Sequence, residues 1–241
     1  GGPRGSRKGG WSAGSGGYKG QVGEDRDRWA DMLVHNGWAA IVVDSHTPRE
    51  YAANEWWRLI CTGQLLTGAE RAGDVLVSLA DAQAMDFVDS KRMALIGMSH
   101  GGWSIMDLLA FDARGELPLN LKRAPGRRED LPLSGVKAVV LVYPWCGPTN
   151  RAVDTGWDHP APVLFVLADD DTIAPSQECR AVAATLEAQG REVETISFAG
   201  VTHAFDQKER AGFSSLVFDE AATRQALDRA DGFLDEATTE R

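Results

Sequence analysis

A serine set between glycines at the end of an apolar run is the first place in this chain where chemistry could occur. Residues 94–104 read ALIGMSHGGWS, so Gly97-Met98-Ser99-His100-Gly101 fits G-x-S-x-G between a strand-like segment and a helix-like one. A sharp strand-to-helix turn of this kind lifts a hydroxyl to a helix N-terminus. Backbone N–H groups there can take up the negative charge of an oxyanion. Small neighbours let the two elements cross closely. Standing alone, the same five residues are only a tight turn. A serine nucleophile also needs a general base and a group that orients the base.

Five histidines are available. His35 falls near a helix end and His159 in a proline-flanked loop. His100 adjoins the serine, where its backbone N–H is the more useful part. His46 follows the run ending at Asp44 and can either line a cleft or pack in its loop. His203, in SFAGVTHAFD just after the run EVETISF, is placed to reach the serine from a neighbouring strand. For the acid, LADDDTIAP (167–175) supplies Asp169, Asp170 and Asp171 directly after PVLFVLA. Some of these carboxylates can serve only as helix caps. No calcium-loop spacing accompanies them, so no metal is expected. The order Ser, Asp, His, each after a successive strand, is the order of a hydrolase triad on an α/β sheet.

The elements that must position these residues alternate along the chain. A helix is predicted over 24–37, a β-branched strand WAAIVVD over 38–44, and a helix over about 68–87. The strand RMALIGM (92–98) leads into a helix from His100 to Phe111. Three further strands follow, VKAVVLVY (136–143), PVLFVLA (162–168) and EVETISF (192–198), with helices at about 175–189 and 219–236. Continuous apolar strands alternating with amphipathic helices predict an α/β fold with a mostly parallel central sheet covered on both faces. In such a sheet ligands bind beyond the carboxyl ends of the strands, which is where Ser99, the three aspartates and His203 all fall. Residues 1–20 contain nine glycines and no apolar periodicity, and read as a loop or flexible segment before one domain over 21–241.

Composition narrows the partners. A net charge of −10 over 241 residues argues against nucleic acid and against an anionic membrane surface. No apolar run is long enough for a transmembrane helix, and the N-terminus lacks the apolar core of a signal peptide. GSGGYKG follows no strand and lacks the Lys-Ser or Lys-Thr pair of a phosphate loop. Three cysteines do not make a disulfide scaffold. No coiled coil is indicated, and the oligomeric state is not legible.

From Trp29 to Phe205 the chain resembles the dienelactone hydrolase family of α/β-hydrolases. The resemblance is carried by WADMLVHNGWAAIVVDSHTPRE, RLICTGQLLTGAERAGDV, MALIGMSHGG and FAGVTHAFD. The last is close to the family's P-G-x-x-H-x-F-D with Ala199 in place of Pro, and it assigns the base to His203. The family's G-x-x-D-x-x-x-P aligns its Pro with Pro175 and its acid with Asp171, Asp170 being the runner-up; Ala168 stands where Gly is usual. The dienelactone-cleaving members carry Cys at the elbow and this chain carries Ser99, so the resemblance guides fold, not substrate.

Several expectations come with it. One is the α/β-hydrolase fold without a separate cap domain. Another is a buried strand before the first long helix, ending in a glycine turn that supplies an oxyanion donor. Here SAGSGG (12–17) stands at that turn, with Ser15 or Gly16 as the second donor beside His100, and nothing before it reads as a strand. Cys146 and Cys179 match positions where similar proteins often have cysteine. A disulfide between them and two buried thiols are both open, with Cys61 left over. The compartment follows from that choice: cytoplasmic, or periplasmic or secreted if the two are paired.

The expected activity is hydrolysis of a small carboxylic ester through an acyl-enzyme on Ser99, with His203 as base and Asp171 as orienting acid. His46, Tyr143 and Trp145 fall at the same sheet edge and are candidate pocket residues. No metal and no organic cofactor are implied. Alternatives are a lactone, a thioester or a peptide bond as the target, or a non-catalytic binding protein that keeps the fold.

Overall fold

The computed structural model describes residues 24–51, 59, 63–125, 132–208 and 216–239. Helix α1 spans Glu24–His35, α2 Gly68–Gln83 and α3 His100–Ala113; α4 is a single turn, Ala152–Thr155, and α5 and α6 span Ser176–Ala188 and Glu220–Thr238. The strands are β1 Met93–Met98, β2 Val136–Val142, β3 Val163–Ala168 and β4 Val193–Phe198. They form one sheet in the order β1-β2-β3-β4, every neighbouring pair parallel. Each crossover carries a helix, as parallel pairing requires.

Side-chain alternation along the strands sorts the core into two layers. Met93, Leu95, Val139, Leu141, Val163, Phe165 and Leu167 face α2, α3 and α5. Ala138, Val140, Val142, Leu164, Val166 and Ala168 face α1 and α6. All six residues of β3 are buried, which is why PVLFVLA is apolar at every position and not at alternate ones. Capping fixes where two of the helices begin. Thr67 and Glu70 exchange side-chain-to-backbone bonds at the start of α2, and the Asp219 carboxylate accepts from Ala222 N (2.8 Å) at the start of α6.

The segment WAAIVVD departs from its predicted strand. It runs from Trp38, whose ring lies 5.6 Å from the Arg92 guanidinium just before β1, to Ser45, whose Oγ accepts from Arg71 Nε (3.1 Å). Arg71 in turn reaches His100, just after β1. The segment thus follows the direction of β1 yet pairs with no strand among the described residues, and Ile41 and Val42 are 48% and 44% exposed. β-branched residues favour an extended backbone, but a strand also needs a ladder partner, and partner choice is not a local property. The glycine-rich residues 1–20, with SAGSGG among them, and Cys61 lie outside the described residues. No helix among the described residues is long and apolar enough to cross a membrane.

Cys146 and Cys179 are joined in a disulfide that ties the loop after β2 to the first turn of α5. The bridge closes a span of 33 residues, for which loop-closure entropy gives a stabilisation of about 3–4 kcal/mol. Reduction under native conditions is therefore expected to lower Tm by about 10 °C in a thermal melt, and Cys146→Ala with Cys179→Ala is expected to do the same without reductant.

Candidate active site

Ser99 stands between β1 and α3 with φ 50° and ψ −118°, a conformation that costs a non-glycine residue about 1–3 kcal/mol. Serine at a helix N-cap ordinarily turns its hydroxyl to the first-turn N–H groups. Here the side chain makes no capping bond. Its Oγ instead lies 2.8 Å from His203 Nε2. The backbone is held from three directions: Ser99 N donates to Val142 O (2.9 Å), and Ser99 O accepts from Trp103 N (3.1 Å) and Trp145 N (3.3 Å).

Of the glycines at the elbow, two are sterically required. A Cβ on Gly97 would stand 2.6 Å from Ile105 Cδ1 and 2.7 Å from Gly101 O, and one on Gly102 would stand 2.6 Å from Pro144 Cβ. Gly101, the last residue of the G-x-S-x-G pattern, has open space where its Cβ would be. The close crossing of β1 and α3 therefore rests on Gly97 and Gly102, which refines the expectation drawn from the motif.

His203 lies five residues beyond β4, and its Nδ1 is 2.6 Å from Asp171 Oδ2. A carboxylate oxygen accepts, so Nδ1 carries the proton and Nε2 presents a lone pair to the serine hydroxyl. The other oxygen, Asp171 Oδ1, accepts from Ile173 N and Ala174 N, both at 2.8 Å. These three bonds fix the carboxylate in a buried position. Asp170 is exposed, and Asp169 pairs with Arg180 on α5 at 2.7 Å. The structure thus brings Ser99, His203 and Asp171 together and leaves Asp169 and Asp170 outside.

His100 turns its ring away from this cluster. Its Nε2 is 2.7 Å from Leu66 O, so Nε2 carries the proton, and Nδ1 faces Arg71 Nη1 at 3.4 Å. Burial, reinforced by the nearby Arg71 charge, lowers its pKa to about 3. The ring is a neutral strut between α3 and the loop before α2. Its backbone N–H stands at the start of α3, where the first N–H groups have no intrahelical acceptor. Ser15 and Gly16, the expected second donor, lie outside the described residues.

The three candidate pocket residues separate. Trp145 is half-buried beside the serine, through its bond to Ser99 O. His46 is half-buried and close enough to His100 to disfavour a proton there. Tyr143 is 1% exposed, with its hydroxyl donating to Asp206 Oδ1 (2.6 Å) and its ring edge-on to His203, the centroids 4.9 Å apart. It stands behind the histidine and does not line a pocket. The aromatic character of YPW could not distinguish wall from lining.

Asp206, the last residue of the HAFD motif, is a buried carboxylate that no sequence argument singled out. Asp107 on α3 is another: its Oδ1 accepts from Arg151 N (2.7 Å), and burial raises its pKa to about 7. Its four-residue spacing from Trp103 reads only as core. Among the described residues no group of three His, Cys, Asp or Glu side chains could hold a metal ion.

The sequence model of the dienelactone hydrolase family matches residues 131–238. That part of the chain is similar to the dienelactone hydrolase family. It contains β2 to β4 with Asp171 and His203, while Ser99 precedes it. Among solved structures, a candidate dienelactone hydrolase from Klebsiella pneumoniae subsp. pneumoniae MGH 78578 superposes with a TM-score of 0.64 at 18% identity, over 89% of this chain and 82% of that one. The dienelactone hydrolase-like promiscuous phosphotriesterase P91 from metagenomic libraries gives 0.62 at 15%, over 90% and 82%. The propionate-bound esterase Est2 of Thermogutta terrifontis gives 0.50 at 20%, over 72% and 68%. At these identities the likeness is one of fold, and the fold is that of dienelactone hydrolase-like α/β-hydrolases. No curated protein matches the chain in sequence.

Two predictions follow from this geometry. Gly101→Ala is expected to fold with its melting temperature within a few degrees of wild type, whereas Gly97→Ala and Gly102→Ala are each expected to lose about 1–3 kcal/mol or more in urea titration, because packed backbone and Pro144 must move. The second concerns pH. Between about 4 and 7 native Asp107 keeps a proton that the unfolded chain has released, so this residue makes stability fall as pH rises. His100 acts oppositely between about 3 and 6.5, where only the unfolded chain holds the proton. Asp107→Asn should therefore steepen the rise of stability from pH 4.5 to 6.5, on the order of 3 kcal/mol across the full window, read from urea midpoints at each pH.

Proposed function

We propose that the protein is a serine hydrolase of small carboxylic esters, working through an acyl-enzyme on Ser99. The observation that carries this reading is the continuous run of hydrogen bonds from Ser99 Oγ to His203 Nε2 (2.8 Å) and from His203 Nδ1 to Asp171 Oδ2 (2.6 Å). Ser99 Oγ attacks the ester carbonyl as its proton passes to His203 Nε2. The C–O bond to the alcohol then breaks, and the leaving alkoxide takes that proton from the imidazolium. Asp171 keeps Nδ1 protonated and stabilises the imidazolium through their bond. Charge developing on the carbonyl oxygen is received at the N-terminus of α3, where the His100 N–H and the helix dipole both favour an anion. Water repeats the sequence with His203 as base, releasing the acid and restoring Ser99.

With serine and not cysteine at the elbow, the reading commits to an ester and not to a dienelactone. The Cys146–Cys179 bond supports an oxidising compartment.

Intact-mass and peptide-mapping spectrometry after treatment with a fluorophosphonate is the test. One adduct on Ser99 is expected, absent in Ser99→Ala and slowed about 10³-fold or more in His203→Gln. Asp171→Asn should slow it by about 10²–10⁴-fold, because the amide lets His203 take the wrong tautomer. A folded wild-type protein that takes up no label at Ser99 overturns the reading.

A further inference from the structure

Ser99 follows β1 and His203 follows β4, and these strands stand three spacings apart, about 14 Å. The histidine loop must therefore lean across the carboxyl ends of β3 and β2 to reach the serine. What it leans on is Tyr143, the first residue beyond β2. The Tyr143 ring meets the imidazole edge-on at 62° and meets Phe205 in the same way at 5.5 Å. Its backbone is unusual, with φ +35° for a non-glycine residue. Its hydroxyl is bonded to Asp206, three residues beyond the histidine whose ring it supports.

Asp206 is 1% exposed, and two donors from different elements converge on it. Tyr143 Oη donates to Oδ1 at 2.6 Å, and Trp29 Nε1 on α1 donates to Oδ2 at 2.9 Å. A carboxylate suits that position because it only accepts, whereas an amide would turn an N–H toward one of the two donors. Bonds to an ionised acceptor are also short and strong, which suits the anchoring of a phenol. We propose that Asp206 is a positioning residue: by anchoring the Tyr143 hydroxyl it holds the tyrosine ring as a fixed wall behind His203, and so keeps the imidazole in register with Ser99. The proposal rests on the acyl-transfer reading for its effect on rate, and on geometry alone for its effect on the imidazole. An error near 1 Å in such a register can cost about 10²-fold in rate.

The two donors supply the experiment's internal control, since one faces the histidine and the other faces away. Tyr143→Phe keeps the ring but frees it from the carboxylate. Trp29→Phe removes the bond on the far side. Asp206→Asn leaves one acceptor for two donors. Each variant is compared with wild type well below its own melting temperature, first by the rate of fluorophosphonate labelling at Ser99. The second measurement is the downfield proton resonance of His203 Nδ1–H, identified by its loss in His203→Gln. Asp206→Asn is expected to slow labelling about 10-fold or more and to broaden the resonance, and Tyr143→Phe to do both to a smaller degree. Trp29→Phe should lower the melting temperature while leaving rate and resonance unchanged. Equal slowing in Trp29→Phe and Tyr143→Phe would mean general loosening, and would overturn the proposal. So would an unchanged rate and resonance in Asp206→Asn. If wild type takes no label, the acyl-transfer reading fails by itself. The resonance then decides the positioning: broadening in Asp206→Asn and Tyr143→Phe but not in Trp29→Phe upholds it, and any other pattern overturns it.

Discussion

The hydrogen bond between Ser99 and His203 joins two loops whose strands do not touch. β1 and β4 are the two edges of the described sheet, so the contact can form only if the loops above β2 and β3 bridge the width between them. Much of the local structure can be read as the means of holding that bridge. Asp170 N donates to Val201 O, tying the acid loop to the histidine loop, and Asp219 N and Thr223 Oγ1 both bond Phe205 O from the start of α6. The disulfide binds the loop after β2 to α5, immediately beyond the acid. Each of these bonds joins segments far apart in sequence. None of them lies within a single stretch of local sequence.

That division also explains what could be read before the structure was known. The four paired strands and the longer helices were legible to within a few residues, because a fully buried strand such as 163–168 is apolar throughout and an amphipathic helix is periodic, whereas the single turn α4 was not. Ser99 was legible because its turn imposes local rules on its neighbours. His203 and Asp171 were legible by their places after strands and by family likeness. WAAIVVD has the β-branching of a strand but forms none among the described residues, because pairing depends on a neighbour that local sequence does not name. Asp206 did not stand out, and Tyr143 was expected to line the pocket and not to stand behind His203, for a related reason. Their meaning is a mutual contact across 63 residues, and each alone looks like an ordinary core aromatic or a loop acid.

Buried polar groups follow one pattern around this site. Asp171 and Asp206 are both buried, and both oxygens of each accept from backbone or side-chain donors, some of them on distant segments. Leaving such groups unpaired inside a protein costs several kcal/mol, which makes them specific as well as strong: the correct loop geometry satisfies them and most alternatives do not. His100 shows the complementary solution. Held neutral by burial, it bonds Leu66 O and braces the elbow helix without carrying charge next to Ser99.

Backbone strain is distributed the same way. The described residues include four non-glycine positions with positive φ: Glu50, Ser99, Tyr143 and Ala204. Three of them are Ser99, the tyrosine packed against the His203 ring, and the residue that follows His203. At about 1–3 kcal/mol each, their strain is comparable in size to the whole net stability of an ordinary domain, about 5–15 kcal/mol. Such a cost persists only where the surroundings over-determine the geometry. Here they do: Ser99 is pinned by three backbone bonds, Tyr143 N donates to Val166 O at 2.7 Å while its hydroxyl is held by Asp206, and Ala204 O accepts from Gln207 N at 3.0 Å. The buried sheet beneath can therefore be seen as the reserve that lets these three residues hold unfavourable conformations. Ser99 belongs to the Ser99–His203 pair and Ala204 adjoins it in the chain, so the strained backbone lies where the pair meets.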